Sequence, residues 1–179
     1  MSQVIDTDGF REGVGIIMLN ERGRLFWARR VKPHNAWQFP QGGLMPGEKP
    51  LDGMYRELHE ETGLLDDDVE LLAESKDWYR YYLPKQMLRR DSEPLCIGQK
   101  QKWYLVRLVS DEANIDFQAT ESPEFNSYRW VHYWYPLKRV IPFKRRVYRQ
   151  ALKAFAGVVF PERDLTRDEI IEASDSSTG

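Results

Sequence analysis

The 179-residue chain has one cysteine, Cys96, so no disulfide can close within it. Without a partner, that thiol is expected to be an ordinary small buried side chain. Its three histidines, His34, His59 and His132, are too scattered for zinc-ligand spacing and read as surface or packing residues. No stretch approaches the roughly 20 apolar residues of a membrane span, and the start, MSQVIDTDGF, lacks a basic and then apolar leader. A soluble, unexported, cytoplasmic protein with no membrane partner is therefore expected. There is no internal repeat. Large net charge is also missing, with 26 basic against 28 acidic residues, but one sign is absent locally: residues 125–161 contain no Asp or Glu.

What is present suffices for one core. With 41% hydrophobic and 13% aromatic residues, a single domain over residues 1–160 is expected, followed by an acidic polar tail, residues 161–179, without fixed structure. Apolar, branched or aromatic runs at 13–20 and 24–30, separated by Glu21-Arg22-Gly23, predict a hairpin. Residues 69–73, 78–83, 101–109 and 128–135 predict further strands. Val147, Tyr148, Ala151, Ala154 and Phe155 recur at helical spacing within residues 143–157. Strands mixed with helices predict an α+β chain, a sheet sandwiched between helices.

The densest chemistry lies in residues 42–64, GGLMPGEKPLDGMYRELHEETGL. Pro46-Gly47 marks a turn, Pro50 suits a first helical position, and Gly63 suits the position just past a helix end. About three helical turns follow from this, with Leu51, Met54, Tyr55 and Leu58 on a core-facing side. Glu57, Glu60 and Glu61 fall on another side. One explanation is a solvated acidic face. Against it, carboxylates at i, i+3 and i+4 repel by a few tenths of a kcal/mol per pair, and the C-terminal end of a helix disfavours negative charge. A bound divalent cation would compensate them, with Mg²⁺ the natural choice where phosphates complete the coordination.

Gly42, Glu48, Arg56-Glu57-Leu58, Glu60-Glu61 and Gly63-Leu64 stand at spacings whose chance occurrence is roughly 10⁻⁷, and together they resemble the Nudix box without departure at its fixed positions. The resemblance implies a Nudix fold, an α/β/α sandwich with a mixed sheet flanked by helices. It also implies metal-dependent hydrolysis of a phosphoanhydride. By the same resemblance Glu57, Glu60 and Glu61 hold Mg²⁺ or Mn²⁺, the Gly42 carbonyl can join them, and Glu48 and Arg56 brace the loop against the helix. Glu57 is the first choice as general base, with Glu61 also catalytic, although the base varies across the family.

Substrate choice lies outside the box. The acid-free stretch carries Arg129, Lys138, Arg139, Lys144, Arg145, Arg146, Arg149 and Lys153, and WYRYY (residues 78–82) with the basic run at residues 85–90 adds cations interleaved with aromatics. That combination, beside a phosphoanhydride site, suits a phosphate backbone with unpaired bases; taken singly, each segment is better explained as core aromatics or a solvated basic face. Segments such as FWARR, WQFPQGG, WYRYYLP, CIGQKQKWYL, ESPEF and VIPFKRRVY, over residues 6–160, resemble the branch of the Nudix family that trims triphosphorylated RNA 5′ ends. The implied partners are 5′-triphosphate or 5′-diphosphate RNA, hydrolysis promotes mRNA decay, and a protein activator is left open. Glu124 matches a further metal carboxylate, and Arg11, Arg30, Tyr81, Phe143 and Lys144 match positions at the phosphates or first bases. Phe143 would stack a base beside a phosphate anchor, or equally staple the following helix.

Two departures from that branch, FREGVG (residues 10–15) and a VKPHNAW loop one residue longer than common, bear on 5′-nucleotide preference rather than on chemistry. The acidic end replaces a longer basic one. Two other functions fit the same residues: asymmetric hydrolysis of diadenosine tetraphosphate and related dinucleoside polyphosphates, and a non-catalytic nucleotide or RNA sensor. The intact box carboxylates speak against the sensor.

Overall fold

A computed structural model describes residues 4–162. The strands are β1 (Phe10–Leu19), β2 (Leu25–Arg30), β3 (Trp37–Gln38), β4 (Gln41–Gly43), β5 (Val69–Glu74), β6 (Tyr79–Tyr82), β7 (Gly98–Leu108) and β8 (Phe125–Val131). The helices are α1 (Pro50–Thr62), α2 (Pro136–Arg139) and α3 (Arg145–Val159). The spine is a parallel pair, β1 with β7, in register from Phe10 opposite Gly98 to Leu19 opposite Arg107. The other pairs are antiparallel: β4 and β2 on β1, β6 and β5 on β7, and β3 and β8 on β2.

Side chains alternate across the sheet, so each face builds its own core. On one face Met54 and Leu58 of α1 pack with Val14, Ile16, Met18, Phe26, Tyr104 and Val106. On the other, Val147, Tyr148, Ala151 and Phe155 of α3 pack with Ile17, Trp27, Phe39, Trp103 and Leu105. The Trp27, Phe39, Trp103 and Tyr148 rings meet mostly edge to face, centroids 4.8 to 6.1 Å apart. The Tyr148 hydroxyl accepts the Phe39 amide at 3.1 Å, satisfying two buried polar groups at once. The α/β/α sandwich expected from the sequence is the fold observed.

Several details differ from expectation. The predicted strand at 128–135 ends at Val131, because the chain turns over His132–Tyr135, the Tyr135 amide donating to His132 O, and Pro136 opens α2. The helix expected from residue 143 begins at Arg145, after a tight turn at Pro142–Lys144. Leu51, placed on the core side by periodicity, is exposed at the protruding first turn of α1. Cys96 is only partly buried, its thiol directed at the Gly98 carbonyl at 3.2 Å. His34, His59 and His132 are exposed. Among the described residues no helix is long and apolar enough to cross a membrane. Most of the tail expected at residues 161–179 lies outside the described residues.

Candidate active site

The loop and helix of residues 42–64 are built as a cradle for carboxylates. Pro50 stands in the first turn of α1 and Gly63 closes it in the left-handed region at φ 77°, its amide donating to His59 O. Arg56 ties loop to helix: Nε and Nη2 both donate to the Glu48 carboxylate at 2.8 Å, and Nη2 also donates to Gly43 O at 2.8 Å. Its Nη1 donates to Glu57 Oε1 at 2.8 Å and Glu60 Oε2 at 3.2 Å. Glu48 Oε1 accepts the Met45 amide as well. The bidentate Arg56 pair holds Glu48 below the usual carboxylate range and raises the Arg56 pKa. Glu48 and Arg56 are thus placed as braces.

Glu57 and Glu61 are not solvated. They are 8% and 5% exposed, whereas Glu60 is half-exposed. The reason is a close approach of backbone to helix. A Cβ on Gly42 would coincide with the Glu57 carboxylate, and a Cβ on Gly13, across the β1–β4 pair, would lie 2.6 Å from the Gly42 carbonyl oxygen. Glycine at both positions opens the slot that the carboxylate and the carbonyl share. Glu61 Oε2 accepts the Gln41 amide at 3.0 Å from the same short strand. Burial pushes the Glu57 carboxyl up to about 7, Arg56 opposing and Glu60 and Glu124 adding to the rise. Burial, then the Glu57 and Glu124 charges, raise Glu61 well above the normal value.

A second wall faces these acids. Glu124, at the mouth of β8, pairs with Arg30 at 3.7 Å, and its charge is felt by both Glu57 and Glu61. Lys144 is 7% exposed; it turns inward from the Pro142–Lys144 turn and donates to Gln38 Oε1 at 3.0 Å. Burial, then the Arg30 charge, lowers its ammonium to about 8, with Glu61 and Glu124 pulling the other way. The Phe143 and Tyr81 rings are 5.6 Å apart; Phe143 is partly exposed, whereas Tyr81 is buried and forms the floor beneath it. Burial raises the Tyr81 hydroxyl, with a hydrogen bond to Gln41 and the Arg11 charge opposing.

Gly42, Glu48, Arg56, Glu57, Glu60 and Glu61 are brought together, and Arg11, Arg30, Tyr81, Glu124, Phe143 and Lys144 are linked to them or to one another by charge or ring contact, whereas Arg129 and Lys138 lie elsewhere. Gln38 and Gln41 were missed; their only signal was polarity inside the apolar run WQFPQ. Among the described residues, Arg11 and Arg30 each bury an Nε with no acceptor, and Gln41 buries an Oε1 with no donor. The two guanidinium N–H groups suit an anionic ligand, whereas the Gln41 oxygen suits a hydrogen-bond donor such as a hydroxyl.

The donor set fits a divalent cation. Four carboxylates and the Gly42 carbonyl are hard oxygen ligands, and two of those carboxylates are buried, Glu57 held by Arg56 and Glu61 offset in part by the Arg30 charge. Among the described residues no three of them already converge as a finished ligand group. Arg56 draws Glu57 and Glu60 to itself, and Arg30 draws Glu124.

A stability signature follows from Glu57. Its folded pKa is above its unfolded one, so the folded chain holds a proton that the unfolded chain releases. The contribution is full below about pH 4.5 and falls by about 3 kcal/mol as pH rises to about 7, then levels. Urea unfolding of the metal-free protein across this window should show the decline, with Glu61 acting in the same direction. Glu57→Gln should lessen it, leaving the Glu61 share; an equal slope in both proteins would show that Glu57 ionises normally.

A family model described as the NUDIX domain matches residues 9–151. The RNA pyrophosphohydrolase of Aliivibrio salmonicida (strain LFI1238) is 55% identical over 161 residues, 90% of this chain and 94% of its own. That of Haemophilus influenzae (strain PittEE) is 53% identical over 171 residues, 96% of this chain and 87% of its own. Among solved structures, the C. elegans Ap4A hydrolase binary complex superposes with a TM-score of 0.59 at 16% identity, covering 84% of this chain and 98% of that one. The E. coli dihydroneopterin triphosphate pyrophosphohydrolase does so with a TM-score of 0.61 at 15% identity, covering 79% and 94%. Those two likenesses speak for the fold alone. Box, sheet and relatives agree: the chain belongs to the Nudix hydrolases, enzymes that act on phosphoanhydride bonds and generally need a divalent cation.

Proposed function

We propose that the chain removes pyrophosphate from the 5′ end of triphosphorylated RNA, leaving a 5′-monophosphate, with Mg²⁺ as its usual cation and Mn²⁺ as a substitute. The observation that carries this is the meeting, in one cleft, of the buried box carboxylates with Lys144, Arg30 and the partly exposed Phe143 ring. Free phosphoanhydride chemistry needs only the first of these. A nucleotide with a following base uses all of them. The relatives named RNA pyrophosphohydrolase support the same reading.

Glu57, Glu60, Glu61, Glu124 and the Gly42 carbonyl would hold the cation, which supplies neutralised phosphate charge and a water of lowered pKa. The chain does the rest. Arg56 holds Oε1 of Glu57, so Oε2 is left to take the proton from the attacking water. Lys144, Arg30 and Arg11 offset charge on the triphosphate and orient it in line. Glu124 and Arg30, paired across the mouth, part to admit the substrate and each then faces a charge of the opposite sign.

Phe143→Ala tests the RNA half. Stacking on an unpaired base is worth about 1 to 3 kcal/mol, so kcat/KM on triphosphorylated RNA should fall roughly 5- to 150-fold, and that on free nucleoside triphosphates much less. An equal fall on both would make Phe143 a merely structural neighbour of Tyr81.

A further inference from the structure

The acid-free stretch is longer than the cleft needs. On the sheet face shared with α3, Trp37 of β3 pairs with Arg29, and Arg129 of β8 pairs with Trp27. The exposed Arg129 guanidinium lies 4.2 Å from the Trp37 ring centroid. Trp37 directly precedes Gln38, which receives the Lys144 ammonium in the cleft. At the other end of the β2–β8 ribbon, Arg24 meets His132 at 3.5 Å, at a groove of about 590 Å³. Trp134, Tyr135 and Lys138 also line this groove, and among the described residues no carboxylate does. Arg139 lies 5.7 Å from the Tyr135 ring. Six residues of strand at about 3.3 Å each put Arg24 roughly 20 Å from Arg30, a distance that a few nucleotides of single strand cover.

We propose that the Trp37–Arg129 stack and the Arg24–His132 groove form a track that binds the single-stranded body of the RNA downstream of the 5′ end being cleaved. The chemistry is that of a sequence-tolerant single-strand surface: cations on the backbone phosphates, aromatic and guanidinium planes under successive bases. A free nucleoside triphosphate ends in the cleft and never reaches it. The track therefore makes the enzyme favour longer, unpaired 5′ ends. It rests on RNA being the substrate.

The test compares a triphosphorylated dinucleotide with a single-stranded triphosphorylated RNA about a dozen nucleotides long, in wild type, in Arg129→Ala and in the double variant Arg24→Ala/His132→Ala. KM for the long strand should rise about tenfold in each variant, with a shallower salt dependence, while the dinucleotide is cleaved as before. Equal shifts for both lengths, or none, would overturn the track; none is also the outcome if a protein partner uses this face. Should Arg129→Ala lower the melting temperature, the groove variant, away from the Trp37 contact, stands alone. Anisotropy with the same strand bearing a 5′-hydroxyl separates the two levels: weaker binding by the variants supports the track even where wild type releases no pyrophosphate, and unchanged binding rejects it.

Discussion

Replacing Glu57 with glutamine is expected to lower kcat about a thousandfold or more while KM for triphosphorylated RNA stays within a few-fold. The amide has the shape of the carboxylate and can still accept from Arg56 Nη1, so the loop, α1 and the basic wall remain in place. It can neither bind a cation well nor take a proton at Oε2. Because the lost interaction acts in the transition state, the loss falls on kcat rather than on binding. The metal-free variant should be at least as stable as wild type at pH 8, since the cost of a buried, ionised carboxylate has been removed. A kcat near wild type would remove Glu57 from the chemistry.

Gly42→Ala should also damage turnover strongly, without replacing a charged group. Its Cβ would occupy the place of the Glu57 carboxylate, so the helix or the side chain must shift. A misplacement of about 1 Å can cost on the order of a hundredfold in rate, and relief of the overlap is expected to cost about 1 to 3 kcal/mol of stability. Gly157→Ala is the matched control. It lies in α3, where an added methyl meets nothing within 4 Å, so full activity and a gain of roughly 1 kcal/mol are expected. If Gly42→Ala kept wild-type kcat, the shared slot for carbonyl and carboxylate would play no part in catalysis.

The reaction was legible in the sequence because the box fixes spacing as well as composition, and Arg56, Glu48 and the three glutamates stand as that spacing implies. Their burial was not legible. Helical periodicity separates Glu57 and Glu61 from Met54 and Leu58 and suggests exposure, yet α1 is buried on two sides, the second reached only because Gly13 and Gly42 let β1 and β4 approach it. That contact is non-local. Strands β3 and β4 were missed because two or three residues containing Gln and Gly carry no period. The aromatic run Tyr133-Trp134-Tyr135 looked like strand, but Pro136 starts a helix there. Glu124 had no local signal at all; only family likeness pointed to it. The inward turn of Lys144 depends on Gln38, 106 residues away in sequence.

On the proposed function the basic wall decides what enters the cleft, which makes the identity of the product the most direct measurement. The purified chain should be incubated with 5′-triphosphate RNA, 5′-diphosphate RNA and diadenosine tetraphosphate, each with Mg²⁺, with Mn²⁺ and with chelator, and every product identified. Pyrophosphate and 5′-monophosphate RNA should form from the triphosphate end, faster than diadenosine tetraphosphate is cut, and only when a divalent cation is supplied. Preferred cleavage of diadenosine tetraphosphate, or hydrolysis that survives the chelator, would contradict the account.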